Sequence, residues 1–189
     1  MSPFLEEIKK CAEELSKGNL ILYPTDTLWG IGCDATDAEA VKKVYALKQR
    51  EDSKALICLV SSQAMLERHV KAVPELAYDI MDLATKPTTI VFDQPLGVAQ
   101  NLVAADNTLA IRVASDKFCQ YLINRFGRPI VSTSANRSGM PSPKRFKDIA
   151  PEILKGVDYV VNLPDENKDP APSSIIKLGN DGQVKVIRE

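Results

Sequence analysis

Three features of the sequence predict an α/β fold, with one twisted, mixed β-sheet and flanking helices. In the first half of the chain, segments with helical periodicity alternate with short apolar runs. Towards the end, apolar runs follow one another with few helices between them, so we do not expect a purely parallel sheet. The chain has 189 residues, of which 44% are hydrophobic, which suits a single domain over residues 1–189.

The first half of the chain predicts helices and strands in alternation. Residues 2–17 have apolar side chains at helical spacing, and this helix should end at Gly18, because glycine favours the position after a helix. A second helix over 37–47 can be capped by Thr36 or Asp37. The other elements of this half are a strand over 19–23, a strand over 55–60, a helix that begins after Ser61 or Ser62 and runs through Val70, and a helix that begins at Pro74 and runs through Leu83.

The second half of the chain predicts strands around one helix, which covers residues 116–126. The last two strands flank the turn Gly-Asn-Asp-Gly at 179–182, which is typical of a hairpin. The predicted strands of this half are 88–92, 109–113, 129–133, 159–162, 174–178 and 184–187.

The composition argues against several classes of protein. Lys and Arg total 24 against 25 Asp and Glu, so no overall basic field indicates nucleic-acid binding. The N-terminus mixes acids and lysines from its first turn, which is unlike a secretory signal, and no apolar run approaches the length of a bilayer span. We therefore expect no membrane partner and a cytoplasmic location.

The cysteines and the single histidine offer little chemistry. The four cysteines lie far apart without CxxC spacing, which argues against a zinc site or a disulfide framework. His69 lies in the polar segment ERHVK and is predicted to be a surface residue. The motifs GxxxxGK[ST], GxGxxG and GxSxG are absent. A P-loop enzyme, a Ser-His-Asp hydrolase and a His-rich metal site are therefore not expected.

The segment YPTDTLWGIG, residues 23–32, is the first candidate site. It follows an apolar run at the exit of a predicted strand, where open α/β sheets often bind ligands. The alternative is a polar turn in which Thr25, Asp26 and Thr27 only satisfy backbone donors. Trp29 taken alone is more typical of a core residue.

A group of cations forms the second candidate site. Lys48 continues the apolar spacing of the second helix, so its stem should be buried while its ammonium group emerges at the helix end. Arg50 and Lys54 follow closely, and such cations suit phosphate oxygens. The alternative is that Lys48 and Arg50 only complement the negative end of the helix.

A loop rich in small polar residues and one strand arginine complete the candidates. Residues 132–139, STSANRSG, follow an apolar strand, and such a loop can direct several donors towards an anion. Arg112 ends the apolar run 109–111 and is either a charged edge residue or an internal anion ligand. Together, these hydroxyls, amides and cations favour binding of an anionic substrate over histidine-based catalysis.

Taken together, these motifs resemble a known family over nearly the whole chain. PTDTLWGIG at 24–32, KQR at 48–50, Arg112 after a short strand, SANRSG at 134–139 and PSSI at 172–175 occur in the order and approximate spacing of the YrdC-like family. That family contains the threonylcarbamoyl-AMP synthases. The resemblance implies a twisted sheet with a large, basic, concave cavity, in a single YrdC-like domain without the C-terminal extension domain of longer members.

The resemblance also implies an activity, that of an L-threonylcarbamoyladenylate synthase. Such a nucleotidyltransferase uses L-threonine, bicarbonate and ATP and releases pyrophosphate, with Mg2+ held through ATP. The threonine amine captures CO2 as a carbamate whose oxygen attacks the α-phosphorus, which requires alignment of anions and no histidine base. This is the first step towards N6-threonylcarbamoyladenosine in tRNA. The implied partners are the tRNA-modification transferase machinery that uses the adenylate and, on the concave face, tRNA or double-stranded RNA.

The resemblance implies roles for individual residues. The implied catalytic residues are Lys48, Arg50, Ser134 and Asn136. The implied ATP-binding residues are Arg50, Lys54, Thr108, Ser134, Ser142 and Arg188. The implied threonine-binding residues are Thr27, Arg112, Ser132 and Ser174, with Arg112 as the partner of the carboxylate.

The chain departs from the family pattern at several positions. Trp29 replaces a usual tyrosine, Lys54 and Leu59 replace a frequent asparagine and histidine, and Glu51 replaces a usual proline. These changes keep two alternatives open, a YciO-type paralogue and a module that binds double-stranded RNA or tRNA without synthase activity. Aromatic residues make up only 6% of the chain and no basic run is present, which disfavours the RNA-binding alternative.

Overall fold

The computed structural model describes residues 2–49, 56–164 and 170–189, and helices and strands alternate through most of them. The helices are α1 (Pro3–Ser16), α2 (Ala38–Lys48), α3 (Gln63–Glu67), α4 (Glu75–Leu83), α5 (Lys117–Phe126) and α6 (Pro151–Gly156). The strands are β1 (Ile21–Tyr23), β2 (Gly30–Gly32), β3 (Ile57–Val60), β4 (Thr88–Asp93), β5 (Thr108–Val113), β6 (Ile130–Ser134), β7 (Tyr159–Val160), β8 (Ser174–Leu178) and β9 (Val184–Arg188).

The strands form one twisted, mixed sheet in the order β7-β1-β2-β6-β3-β5-β4-β8-β9. Three neighbouring pairs are parallel, namely β1/β7, β3/β5 and β4/β8. The other neighbours are antiparallel, including the hairpin of β8 and β9 that the Gly-Asn-Asp-Gly turn predicts. The predicted α/β fold with a mixed sheet is therefore confirmed.

Strand β2 is the main departure from the predicted elements. The sequence predicts only a polar turn after β1, but the chain returns as a short antiparallel strand with Tyr23 opposite Gly30 and Ile21 opposite Gly32. Glycine has low strand propensity, which hides this strand from sequence patterns. Glycine is needed at position 32 because a Cβ atom there would lie 2.6 Å from a ring carbon of Tyr23.

Helix α6 is also absent from the predicted elements, and α3 is shorter than predicted. Helix α6 has only six residues, which is too short for a clear helical period. Helix α3 ends at Glu67 instead of Val70, and Val70 forms an isolated antiparallel bridge with Pro95. The other predicted elements within the described residues are observed, with ends shifted by a few residues.

The hydrophobic core lies between the sheet and its helices. Helices α1 and α5 pack against each other, α1 also contacts β1, and α5 also contacts β3. Their amphipathic spacing places Leu15 and Leu122 in the core, both with no exposed surface. At one end of the pair, the rings of Phe4 and Phe118 meet edge to face at 6.2 Å. The two helices thus pack on β1 and β3, whose neighbours in the sheet, β2, β6 and β5, carry part of the candidate site.

The described helices include none with the length and apolar character that a membrane span requires.

Candidate active site

A cavity of about 340 Å³ opens on the sheet beside the β1–β2 hairpin. Its floor is a row of register partners on β6, β3, β5 and β4, because side chains opposite each other on adjacent strands share one face. The row consists of Ser132, Ile57, Ala110 and Val91. The described lining residues include Arg112 and Arg188 but no carboxylate, which makes the wall basic.

Arg112 lines the cavity from the interior strand β5, in the part that we call the Arg112 end, and is held by a carboxylate. Only 4% of its side chain is exposed, and its Nη1 lies 2.5 Å from Oδ1 of Asp26, whose side chain is 13% exposed. The other carboxylate oxygen, Oδ2, accepts a hydrogen bond from Ser115. A charge that leaves water needs such a partner, and the pair fixes the direction of the guanidinium group. Arg112 is thus an internal arginine and not a charged edge residue.

The residues that follow Pro24 form the turn that positions Thr27. The Thr25 hydroxyl donates to the Leu28 carbonyl at 2.7 Å and accepts the amide hydrogen of Thr27 at 3.0 Å. The hydroxyl oxygens of Thr25 and Thr27 are 2.8 Å apart. Thr25 therefore satisfies backbone groups, as the turn interpretation predicts, whereas Thr27 lines the cavity.

Arg188 occupies another part of the wall and is held by neutral groups. Its Nε donates to the Ser173 carbonyl at 2.9 Å, and its Nη2 lies 3.4 Å from the Ser173 hydroxyl. That hydroxyl is 2.8 Å from the hydroxyl of Thr89, which is fully buried. Partial burial lowers the pKa of Arg188 from its ordinary value. An anion bound here would offset this loss of hydration.

Lys48 holds the loop that follows β6 and does not emerge as predicted. The side chain is only 1% exposed, and its Nζ donates to the carbonyl oxygens of Ser134 at 2.5 Å and Asn136 at 2.6 Å. The predicted burial of its stem is confirmed, but the predicted exposure of its ammonium group is wrong. The ammonium group turns inward because a buried charge needs hydrogen-bond partners, and the two loop carbonyls accept its hydrogens.

Ser134 and Asn136 complete the network around Lys48. The Ser134 hydroxyl donates to Oδ1 of Asn136 at 2.5 Å, and Nδ2 of Asn136 donates to the Met140 carbonyl at 2.5 Å. The backbone carbonyl of Lys48 accepts the amide hydrogen of Ser138 at 2.8 Å. Helix α2 and the loop after β6 are thereby joined, with Ser134 at the cavity wall.

The structure brings most of the predicted site residues together. Six of them line the cavity, namely Thr27, Arg112, Ser132, Ser134, Ser142 and Arg188. Lys48 and Asn136 support the loop behind Ser134. Arg50 and Lys54 lie outside the described residues.

Thr108 and Ser174 are not among the residues that line the cavity. Thr108 lies at the start of β5, where its hydroxyl donates to Asp106 at 2.6 Å. Ser174 has a buried Oγ without a hydrogen-bond partner among the described residues, whereas Ser173 and Ile175 line the cavity. For Ser174 the reason is the strand period of two, since neighbouring residues of a strand point to opposite sides.

Sequence reasoning missed the roles of Asp26 and Ser173. Asp26 was visible within the PTDT motif, but its pairing with Arg112 joins residues 86 positions apart. Ser173 was visible within PSSI, but no sequence pattern assigns the face of a residue just before a strand. Trp29 lines the cavity and is 4% exposed, its ring lies 5.0 Å from that of Phe146, and its Nε1 has no partner among the described residues.

The remaining titratable groups form no further reactive centre in the described part of the chain. No group of three or more His, Cys, Asp and Glu side chains is placed there to hold a metal ion. All four cysteines are free and buried, and burial raises the pKa of Cys58 to about 12. His69 is half-buried with its Nδ1 3.0 Å from the Leu96 carbonyl, and it is not part of the cavity wall.

Comparison with known proteins assigns the chain to a family. The Sua5/YciO/YrdC family model, described as "Telomere recombination", matches residues 13–189. The chain belongs to this family. It is also 34% identical over 186 residues to a putative threonylcarbamoyl-AMP synthase of Methanocaldococcus jannaschii. The matched region covers 96% of this chain and 86% of that protein. The resemblance read from PTDT, KQR and SANRSG is thereby confirmed.

Solved structures agree with the family and its fold. A Sua5 protein of P. abyssi complexed with L-threonine superposes with a TM-score of 0.84 at 29% identity and covers 90% of this chain. The match spans 50% of that protein, so this chain has about half its length. YciO of E. coli has the same fold, with a TM-score of 0.81 at 24% identity over 96% of this chain and 88% of its own.

Proposed function

We propose that this Sua5/YciO/YrdC-family protein is a threonylcarbamoyl-AMP synthase, which converts L-threonine, bicarbonate and ATP into threonylcarbamoyl-AMP and pyrophosphate. The observation that carries the proposal is the cavity with a buried, oriented arginine in one part and a second arginine beside a serine-bearing loop in another. Curated relatives with this name support it, since one is 34% identical over 96% of the chain.

The Arg112 end of the cavity suits L-threonine. Asp26 engages Nη1 of the guanidinium, and no other residue in the described part of the chain hydrogen-bonds to it, so its other N–H groups can bind a carboxylate. The hydroxyls of Thr27 and Ser132 line the same cavity and offer donors and acceptors to the polar groups of threonine. A P. abyssi relative complexed with L-threonine agrees with this assignment.

The Arg188 end and the loop after β6 suit the phosphates of ATP. Arg188 supplies a cation, and Ser134 and Ser142 supply hydroxyls that line the same cavity. The Lys48 network holds Ser134 in place, so Lys48 acts by positioning the loop and Arg50 remains the predicted direct phosphate ligand. Enzymes of phosphoryl and nucleotidyl transfer stabilise the transition state mainly with fixed hydrogen-bond donors and cations that face the developing negative charge.

The reaction then needs alignment more than acid–base groups. Bicarbonate gives CO2 and hydroxide; the neutral threonine nitrogen forms a bond to the carbon of CO2, and its proton combines with that hydroxide to give water, which leaves a carbamate. A carbamate oxygen forms a bond to the α-phosphorus as the bond to pyrophosphate breaks, so a nucleotidyl group is transferred. Arg112 keeps the amino acid in place, and the phosphate-binding residues orient the α-phosphorus for in-line attack.

Mg2+ is the proposed cofactor, held through ATP. The described cavity wall offers hydroxyls and guanidinium groups but no carboxylate, and Asp26 is already engaged by Arg112 and Ser115. Such a donor set fits an ion that is bound by phosphate oxygens and water more than by protein side chains. When bound, Mg2+ would neutralise charge on the phosphates and on the departing pyrophosphate.

The test is pyrophosphate release from Mg-ATP with L-threonine and bicarbonate, added singly and together. We expect release only with both, together with an adenylate that contains threonine. Leu96→Ala, an exposed position outside the cavity wall, serves as the matched control and should leave the rate unchanged. Pyrophosphate release that does not depend on both threonine and bicarbonate would overturn the proposal and favour a YciO-type activity or RNA binding. A purified product should then be accepted by the transferase machinery that modifies tRNA.

A further inference from the structure

The two arginines of the cavity wall have partners of different charge. Arg112 is paired with the carboxylate of Asp26, and this pair is almost fully buried. Arg188 is paired with the carbonyl and hydroxyl oxygens of Ser173, which carry no charge. The Arg112 end therefore has a cation on the cavity wall in contact with an anion that does not itself line the wall, whereas the described partners of Arg188 are neutral.

Asp26 is held as firmly as the arginine that it contacts. It belongs to the connection between β1 and β2, Arg112 belongs to β5, and Ser115 belongs to the loop between β5 and α5. The two carboxylate oxygens accept from two different segments, so the charge of Asp26 stays beside the guanidinium group. Any ligand bound by Arg112 must lie close to this fixed negative charge.

A fixed negative charge changes which ligands an arginine accepts. A simple carboxylate is attracted by Arg112 but repelled by Asp26, and the repulsion is strong because the pair is almost fully buried and a buried site screens charges less than bulk water does. An α-amino acid carries an ammonium group one carbon away from its carboxylate and so complements both charges. Specificity of this kind comes from a repulsive element as much as from an attractive one.

We propose that Asp26 is a positioning and specificity residue for the amino-acid substrate, because it orients Arg112 and favours a ligand whose carboxylate is accompanied by an α-ammonium group. The inference rests on the proposed binding of threonine at Arg112. It assigns to Asp26 a role that acts through Arg112 and through charge, and it requires no direct contact with the reacting atoms.

Calorimetric titration of the whole protein tests the inference without turnover. The two ligands are L-threonine and β-hydroxybutyrate, which is threonine without its amino group. We expect the wild-type protein to prefer threonine by at least about tenfold. In Asp26→Asn, threonine should bind about tenfold more weakly while β-hydroxybutyrate binds equally well or better, so the preference should largely disappear.

Two further variants separate charge from packing. Ser115→Ala removes one hydrogen bond to Asp26 but keeps both charges, so the preference for threonine should remain. Asp26→Glu keeps the charge and should restore most of the preference. Equal binding of both ligands to the wild-type protein, or an equal loss of both in Asp26→Asn, would overturn the inference.

The result also distinguishes this inference from the proposed function. If the wild-type protein binds threonine and forms the adenylate but shows no preference over β-hydroxybutyrate, only the role of Asp26 fails. If the wild-type protein binds ATP but neither titrated ligand, the assignment of the Arg112 end to threonine fails and the role of Asp26 falls with it. If Asp26→Asn does not fold, equal binding of both ligands to the wild-type protein still overturns the inference.

Discussion

Arg112 and Arg188 line the same cavity, but the fold holds them in opposite ways. Arg112 lies on an interior strand, is 4% exposed and depends on a carboxylate that comes from another part of the chain. Arg188 lies on the edge strand β9, is exposed and rests on neutral oxygens of Ser173. The difference indicates that the first end is rigid and selective, whereas the second can adapt to the several charges of a polyphosphate.

The largest effect is expected from the buried arginine. Arg112→Met removes the charge but keeps much of the side-chain volume, and it leaves the Asp26 carboxylate without its cation. Threonine-dependent pyrophosphate release should fall by about 100-fold or more, and the free energy of unfolding should fall by about 3 kcal/mol, as for a broken buried ion pair. Steady-state kinetics and urea unfolding measure the two losses.

A second substitution shows how much of that loss is electrostatic. Asp26→Asn combined with Arg112→Met should recover much of the stability, because no unpaired charge remains, but none of the activity. If the double variant is as unstable as Arg112→Met alone, the unpaired charge of Asp26 is not the cause of the instability. The contrast between a charge-paired Arg112 and a neutrally held Arg188 would then fail.

The next effect in size concerns Ser134 at the end of β6 and the loop that follows it. Lys48→Met should lower the free energy of unfolding by about 2 kcal/mol, because the Ser134 and Asn136 carbonyls lose a charged donor. The KM for ATP should rise more than that for threonine. Lys43→Met is the matched control, since Lys43 lies on the same helix and donates to the Gly18 carbonyl at 2.8 Å. An equal change of both KM values would place Lys48 outside the phosphate end.

The exposed arginine should give a smaller and more selective effect. Arg188→Ala is expected to raise the KM for ATP by about tenfold, with the KM for threonine and the melting temperature nearly unchanged. Lys185→Ala, on the same strand but not on the cavity wall, should change neither KM value. A large loss of stability in Arg188→Ala would mean that both arginines serve the fold and would remove the contrast between them.

The smallest effect concerns the carboxylate next to the Arg112 end. Burial raises the pKa of Asp116 above its ordinary value of 3.8, and Asp26 adds to this rise, whereas the Cys119 amide and Arg112 oppose it. Because the folded state binds this proton more tightly, Asp116 costs stability as the pH rises through and above 3.8. Asp116→Asn keeps an oxygen for the Cys119 amide and should gain less than about 1 kcal/mol near neutral pH.

Urea unfolding of this variant at several pH values provides the measurement. The gain relative to the wild-type protein should be absent at acid pH and appear as the pH rises above the ordinary pKa of a carboxyl group. A gain that is the same at all pH values would show that packing, and not charge, is responsible.

Much of the fold follows from local patterns that the sequence displays. Apolar spacing and capping residues predict α1, α2 and α5, because a helix with one buried face has a period that short-range patterns reveal. Strand β2 escapes prediction, because its glycines serve the approach of Tyr23 and carry no β propensity of their own. Within the described residues, the motifs also lead to most of the cavity wall.

By itself, the sequence determined that an arginine would end a buried strand, that two hydroxyl-rich turns would follow strands, and that the chain would resemble one family. Only the tertiary structure decided the partners of these groups. Asp26 meets Arg112 across 86 residues, and the Lys48 ammonium turns inward to a loop 86 residues away. The physical reason is that a buried charge takes whichever opposite charge or carbonyl the packed chain brings within reach, and that distance is a property of the fold.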